Sequence, residues 1–172
     1  MKRNIQDSSK MLAYLLRHSQ LPDHHGWVEV ERLISELYLT LEELVQVIAN
    51  DTKGRFELSE DNFSVRALYG HSIDVDLELE PSTPPTTLYH GTATKSLASI
   101  MREGIRPRSR RFVHLSESIE GALEVGSRHG QPIVLKIATP AMLTHGHKFY
   151  HAQQGIWLTD SIASEYVSII NP

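Results

Sequence analysis

TLEELVQVIANDTKGRFELSEDNFSVRA, residues Thr40 to Ala67, changes its hydrophobic period midway, and that change decides the fold class. Thr40 and Glu43 form the cap and third position of a capping box. Leu41, Leu44, Val45 and Ile48 follow at i, i+3, i+4 and i+7, which predicts a helix. From Phe56 the period drops to two: Phe56 and Leu58 alternate, Glu60-Asp61-Asn62 turns, and Phe63, Val65 and Ala67 alternate again. That is a β-hairpin pattern. Upstream, Asp7-Ser8-Ser9 reads as a helix N-cap before Met11, Leu12, Leu15 and Leu16. Pro22-Asp23 and Gly26 close that segment, and Val28 to Leu37 suggests a second helix with Val30, Leu33, Ile34 and Leu37 on one face. Three helices and then a hairpin is the layout of a winged-helix module. It is equally the layout of any small α+β subdomain.

Downstream, Glu80-Pro81-Ser82-Thr83-Pro84-Pro85-Thr86 has the composition of a linker, so two domains are expected, 1–80 and 81–172. In the second, strands are expected over Thr87–His90, Phe112–Ser116 and Ile133–Ala138, with short ones near Lys148–Tyr150, Gly155–Leu158 and Tyr166–Ile170. Two helices are expected, Lys95–Glu103 closed by Gly104 and Ile119–Ser127. The fold class is therefore α+β.

The 172 residues, 40% apolar and 22% charged, suit a globular protein of one or two domains. No apolar run approaches the roughly 20 residues of a membrane helix, and Met1-Lys2-Arg3-Asn4 leads into no apolar region, so neither a membrane partner nor a signal peptide is expected. The chain has no cysteine, which excludes disulfides, thiolate catalysis and thiolate zinc sites and favours a cytoplasmic setting. Residues 1–80 carry 8 Lys and Arg against 15 Asp and Glu, and residues 81–172 carry 9 against 6. An acidic first half argues against a broad nucleic-acid coat there. A focused anion site stays possible, because a few guanidinium groups can grip one phosphate through paired planar hydrogen bonds.

Three arginines stand at the edges of short apolar stretches: Arg17 beside His18 in Leu15-Leu16-Arg17-His18-Ser19, Arg66 in Val65-Arg66-Ala67, and Arg128 in Ser127-Arg128-His129. At a helix end, Arg17-His18 could also do no more than answer the helix dipole. Tyr89-His90-Gly91-Thr92 ends a strand; the glycine would let a ligand approach the backbone, and His90 and Thr92 can hydrogen-bond a ribose or an amide. An ordinary turn with an incidental histidine reads the same way. His114 lies in the alternating strand Val113-His114-Leu115-Ser116, where a half-buried, satisfied side chain is the usual finding. Arg106, Arg108, Arg110 and Arg111 make a basic run that suits either a solvated loop or a phosphate contact. There are ten histidines, but no H-E-x-x-H and no carboxylate spaced for a facial triad, so no metal site is expected. P-loop, G-x-G-x-x-G and G-x-S-x-G motifs are absent.

Six motifs in order carry a resemblance: Ser9-Lys10 leading to Leu15-Leu16-Arg17-His18; Val65-Arg66-Ala67 with Gly70-His71-Ser72; Leu88-Tyr89-His90-Gly91-Thr92; Val113-His114-Leu115-Ser116; Val125-Gly126-Ser127-Arg128-His129-Gly130; and Gly155-Ile156-Trp157-Leu158-Thr159. Together they resemble the NAD-dependent RNA 2′-phosphotransferase (tRNA 2′-phosphotransferase) family, known from tRNA splicing, from about residue 7 to 170. The resemblance implies an N-terminal winged-helix RNA-binding lobe and a C-terminal ADP-ribosyltransferase-like lobe that takes NAD as co-substrate. It implies an RNA partner bearing an internal 2′-phosphate, and a monomer is expected. The family's Arg-His-Arg-Arg set falls on Arg17, His18, Arg66 and Arg128, which are implied to hold the 2′-phosphate. His90, Gly91, Thr92 and His114 match the NAD-binding strands, and Thr94, Ser99, Gly104 and Arg110 are assigned to the same pocket.

The implied chemistry has two steps: the 2′-phosphate displaces nicotinamide at the ribose C1″, and the ribose 2″-hydroxyl then attacks the same phosphorus. Related lobes place a glutamate where Ile156 stands. A phosphomonoester, with a second pKa of about 6, is already an anion and needs positioning more than deprotonation. Phe112 and Gln154 also depart from the pattern, standing where histidine and asparagine are common. Two other readings stay open. One is an ADP-ribosyltransferase that modifies nucleic-acid terminal phosphates, and the other is a winged-helix DNA-binding regulator with an NAD-sensing lobe.

Overall fold

The computed structural model describes residues 5–153 and 155–170, so Gln154 and the opening Met1-Lys2-Arg3-Asn4 lie outside the described residues. The chain divides into two compact units, Met1–Glu78 and Leu79–Pro172, each built around a hydrophobic cluster of its own. Helix and sheet are mixed in both, so the fold is α+β.

The first unit runs α1 (Ile5–His18), β1 (Trp27–Glu29), α2 (Val30–Leu37), α3 (Leu41–Ala49), β2 (Phe56–Leu58) and β3 (Ser64–Ala67). The capping box at α3 is present in full: Thr40 Oγ1 accepts from the Glu43 amide at 3.2 Å, and Glu43 Oε2 accepts from the Thr40 amide at 2.9 Å. The hairpin also forms, with Phe56 opposite Ala67 and Leu58 opposite Val65. Its turn is tied by Asp61, whose carboxylate accepts from Ser59 Oγ and the Phe63 amide and is held below the usual carboxylate range by those bonds. Leu12, Leu16, Leu33, Leu37, Leu44, Val47 and Val65 fill the core between helices and sheet.

Three local expectations change. Val28–Leu37 is not one helix, because Trp27–Glu29 is a third strand paired with β3. Asp23 is the cause: its Oδ1 accepts from the amides of His25 and Trp27, and Gly26 turns at φ +84, so the chain enters extended. The helix α1 already includes Ile5, so Asp7 lies in its first turn, where its charge favours the dipole, and Ser8 and Ser9 are buried. Ser9 Oγ accepts from Arg55 Nη2 at 2.7 Å, which explains a serine on the inner face. On α3 the buried positions are Leu44 and Val47, while Leu41 and Val45 face solvent.

The second unit runs β4 (Leu88–Ala93), α4 (Leu97–Glu103), β5 (Val113–Ser116), α5 (Ile119–Ser127), β6 (Pro132–Ile137), α6 (Thr139–Thr144), β7 (Tyr150–Gln153), β8 (Ile156–Thr159) and β9 (Val167–Ile169). The strands form one antiparallel sheet in the order β7-β8-β5-β4-β6-β9. Leu88, Leu115, Leu135, Ile137, Met142, Phe149 and Trp157 lead its core. The helix α6 is additional to the two expected; Pro140 sits in its first turn, a position where proline's missing amide costs nothing. The Pro/Thr stretch after Glu80 is not a free linker. Pro81 bridges to Tyr150, the Ser82 amide donates to the Phe149 carbonyl at 2.8 Å, and Thr139 Oγ1 donates to the Pro85 carbonyl.

Candidate active site

In the first unit, Arg17 and His18 end α1, and the segment Tyr69-Gly70-His71-Ser72 wraps that end. The Ser72 amide donates to the Arg17 carbonyl at 3.0 Å, satisfying one of the last helical carbonyls. Ser72 Oγ lies 2.8 Å from His18 Nδ1. The Arg17 guanidinium lies over the Tyr69 ring at 4.9 Å and against Gly70. A Cβ on Gly70 would come within 3.2 Å of Arg17 Cζ and Nε, and its φ of +90 favours glycine independently. Burial pushes the Tyr69 hydroxyl up, and the Arg17 charge opposes that shift.

Arg66 is held by a row across the three strands. Trp27, Arg66 and Glu57 are register partners on β1, β3 and β2, so their side chains share one face. Arg66 Nε donates to Glu57 Oε2 at 2.6 Å, and Arg66 Cζ sits 4.4 Å above the Trp27 ring centre. His71, buried at 4% exposure, approaches Gly26 from the same side as the Arg66 Cβ. Arg17 and His18 are thus gathered around one segment, residues 69–72, while the Arg66 guanidinium is held on the sheet by Glu57 and Trp27. Tyr69, Ser72, Trp27 and Glu57, which do the gathering, had no role assigned from the sequence; only the spacing of Gly70-His71-Ser72 after Arg66 hinted at it.

In the second unit, His90 and Thr92 alternate with Tyr89 and Gly91 along β4. The pairing of Tyr89 with Ser116 puts His90 and Thr92 on the sheet face of Leu88 and Leu115, and His114 on the opposite face. The two histidine side chains therefore do not share a face. Their contact runs through the backbone: His90 Nδ1 is 3.1 Å from the His114 carbonyl oxygen, and His114 Nδ1 is 3.0 Å from that of Phe112. A carbonyl can only accept, so each Nδ1 carries its proton. Burial depresses the His90 pKa below the ordinary histidine value, the His114 carbonyl opposes this, and His129 adds to it. His90 is thus a neutral imidazole whose Nε2 can accept.

Gly91 has a packing reason of its own. A Cβ there would lie 1.7 Å from the Ala122 carbonyl oxygen, so the glycine lets α5 close on β4. Gly104 is similar: at φ +80, its Cβ would lie 2.2 Å from the Ile162 carbonyl oxygen. Thr94 starts a 3-10 turn, its amide donating to Gln131, and Ser99 Oγ donates to the Ser96 carbonyl within the α4 turn. Arg110 is exposed in the loop before β5. Arg128 caps α5 at half exposure and donates to Glu124 Oε1 at 2.6 Å. Phe112 packs on Tyr150, ring centres 5.6 Å apart. Ile156 is paired with Ser116, which brings the next residue, Glu117, beside Gly155. Its Oε1 accepts from Trp157 Nε1 at 2.7 Å. A carboxylate therefore lies near Ile156 after all, supplied by the neighbouring strand, a placement the linear sequence does not show.

Arg17, His18 and Arg66 lie in the first unit, and the half-buried His90, Thr92 and His114 in the second. Comparison with known proteins gives this chemistry a family. Residues 2–161 match the family model described as RNA 2′-phosphotransferase, Tpt1/KptA family. A probable RNA 2′-phosphotransferase of Hahella chejuensis is 41% identical over 99% of this chain and 97% of its own length. Proteins of the same description from Acaryochloris marina and Agrobacterium fabrum are 44% and 43% identical, over 96% and 94% of this chain and 97% and 92% of their own lengths. With the match spanning nearly the whole chain, this protein belongs to the RNA 2′-phosphotransferase family.

Proposed function

We propose that the protein removes an internal 2′-phosphate from RNA by NAD-dependent transfer, with a winged-helix RNA lobe and an ADP-ribosyltransferase-like NAD lobe. The observation that carries this reading is the juxtaposition of Arg17 and His18 at the end of α1 against residues 69–72, a guanidinium and an imidazole of the kind that grips a phosphate. In the first step, a phosphate oxygen bonds to the ribose C1″ of NAD as the C1″–nicotinamide bond breaks, and nicotinamide leaves with the bonding electrons. In the second, the ribose 2″-hydroxyl loses its proton and bonds to phosphorus, and the RNA 2′-oxygen departs and takes up a proton. The products are 2′-hydroxyl RNA, nicotinamide and ADP-ribose 1″,2″-cyclic phosphate.

Arg17 and Arg66 supply the guanidinium groups of the first unit that neutralise charge on the phosphate. Guanidinium does not give up a proton readily, so His18 is the group that moves one. On the NAD side, the donor set suits the dinucleotide. Neutral His90 and the Thr92 hydroxyl can bond ribose or amide without adding charge beside a developing oxocarbenium ion, and exposed Arg110 suits the pyrophosphate. Gly91 also lets α5 close on β4 behind this pocket. The test is an RNA oligonucleotide with one internal 2′-phosphate, incubated with and without NAD. Loss of the phosphate only with NAD, together with nicotinamide release, supports the reading. An ADP-ribosylated RNA phosphate that never resolves supports the terminal-phosphate transferase instead, and duplex binding without nicotinamide release supports the regulator.

A further inference from the structure

Ser72 makes two contacts to the end of α1 that a purely structural residue would not need. Its amide already satisfies the Arg17 carbonyl at 3.0 Å, yet its hydroxyl is turned between that same carbonyl, at 3.4 Å, and His18 Nδ1, at 2.8 Å. A serine hydroxyl has one proton to give. The carbonyls at a helix C-terminus carry partial negative charge and can only accept. If the hydroxyl proton points to Arg17, the Ser72 oxygen must accept from His18 Nδ1–H. This is also the only orientation compatible with an imidazolium, in which both ring nitrogens donate. Tyr14 stands beside the ring, 5.7 Å between centres, and limits its rotation.

We propose that Ser72 is a positioning residue: it fixes His18 as the Nδ1–H tautomer and aims Nε2 as the proton-accepting and proton-donating atom of the phosphate site. The inference rests on the functional reading above, in which His18 moves a proton. A neutral imidazole free in water prefers the other tautomer, with the proton on Nε2, and that form could not accept one there. The chain of carbonyl, hydroxyl and imidazole therefore selects the reactive form before substrate arrives, in the way a buried carboxylate orients the histidine of a hydrolase triad.

The experiment is nitrogen NMR of the His18 ring in the full-length protein, at a pH high enough for the ring to be neutral, alongside steady-state kinetics of Ser72→Ala and Ser72→Thr on 2′-phosphorylated RNA. Wild-type protein is expected to show the proton on Nδ1, and Ser72→Ala to move it to Nε2. Ser72→Ala should lower kcat by about 10-fold or more while leaving the KM for NAD unchanged, and Ser72→Thr, which keeps the hydroxyl, should restore most of it. An Nε2–H tautomer in the wild type overturns the proposal even if Ser72→Ala does not fold. So does a Ser72→Ala enzyme that keeps its kcat, or a Thr variant no better than Ala. Wild-type protein that removes no 2′-phosphate fails the functional reading, whereas active protein with the wrong tautomer fails this one.

Discussion

His90 shows how one residue can be legible in identity and illegible in state. The sequence singles it out beside Gly91, but only the register reveals that its ring lies against the His114 carbonyl and is held neutral by burial. The sign of its pH effect follows. With the folded pKa depressed below the ordinary value of about 6.5, the unfolded chain binds more protons between the two values. Stability is therefore full above about pH 6.5 and falls as pH drops through that window. Urea midpoints measured across this range should fall more steeply for wild type than for His90→Asn, and equal slopes would show that His90 does not carry the effect. The proposed role of Arg128 is testable by contrast. Arg128→Ala should lower kcat/KM for phosphorylated RNA on the order of 100-fold. Arg108→Ala, in the exposed loop before β5, should stay within about 3-fold, and comparable losses would remove Arg128 from the site.

At the scale of elements, α3 and the β2–β3 hairpin could be read from Thr40–Ala67 because their determinants are local: a capping box, a 3.6 period, then a 2 period. The strand β1 could not, because Val28 fits a helical stripe as well as a strand. What decides is Asp23 gathering two amides and the free edge of β3. The same limit hid the packing role of Gly91, which is a seat for α5. Gly91→Ala should destabilise the fold by about 3 kcal/mol or more, since backbone must move to clear Ala122. Gly146→Ala, with nothing within 4 Å but a φ of +84, should cost only about 1 kcal/mol. Denaturant titrations would compare them, and equal costs would refute the packing account. Between α1 and β2, Arg55 is gripped by Asp51, whose side chain is 3% exposed, and by Ser9. Asp51→Ala leaves that mostly buried cation without its carboxylate and should cost about 3 kcal/mol, whereas a surface-like loss below about 1 kcal/mol would contradict the pairing.

For the molecule as a whole, the ordered series of motifs from Ser9-Lys10 to Gly155–Thr159 was readable because chemistry-bearing residues sit at fixed places along the chain. The supporting groups were not readable, since Trp27, Glu57, Ser72 and Glu117 reach their partners only through strand pairing and the wrap of residues 69–72. Family membership establishes the class of chemistry, and the proposed function adds the route by which phosphorus leaves the RNA. That route is tested most directly by labelling the 2′-phosphate of an RNA oligonucleotide with radioactive phosphorus and following the label after incubation with unlabelled NAD. All released label is expected in ADP-ribose 1″,2″-cyclic phosphate, in equal amount to the nicotinamide formed. Label released as inorganic phosphate, or released without NAD, would contradict it.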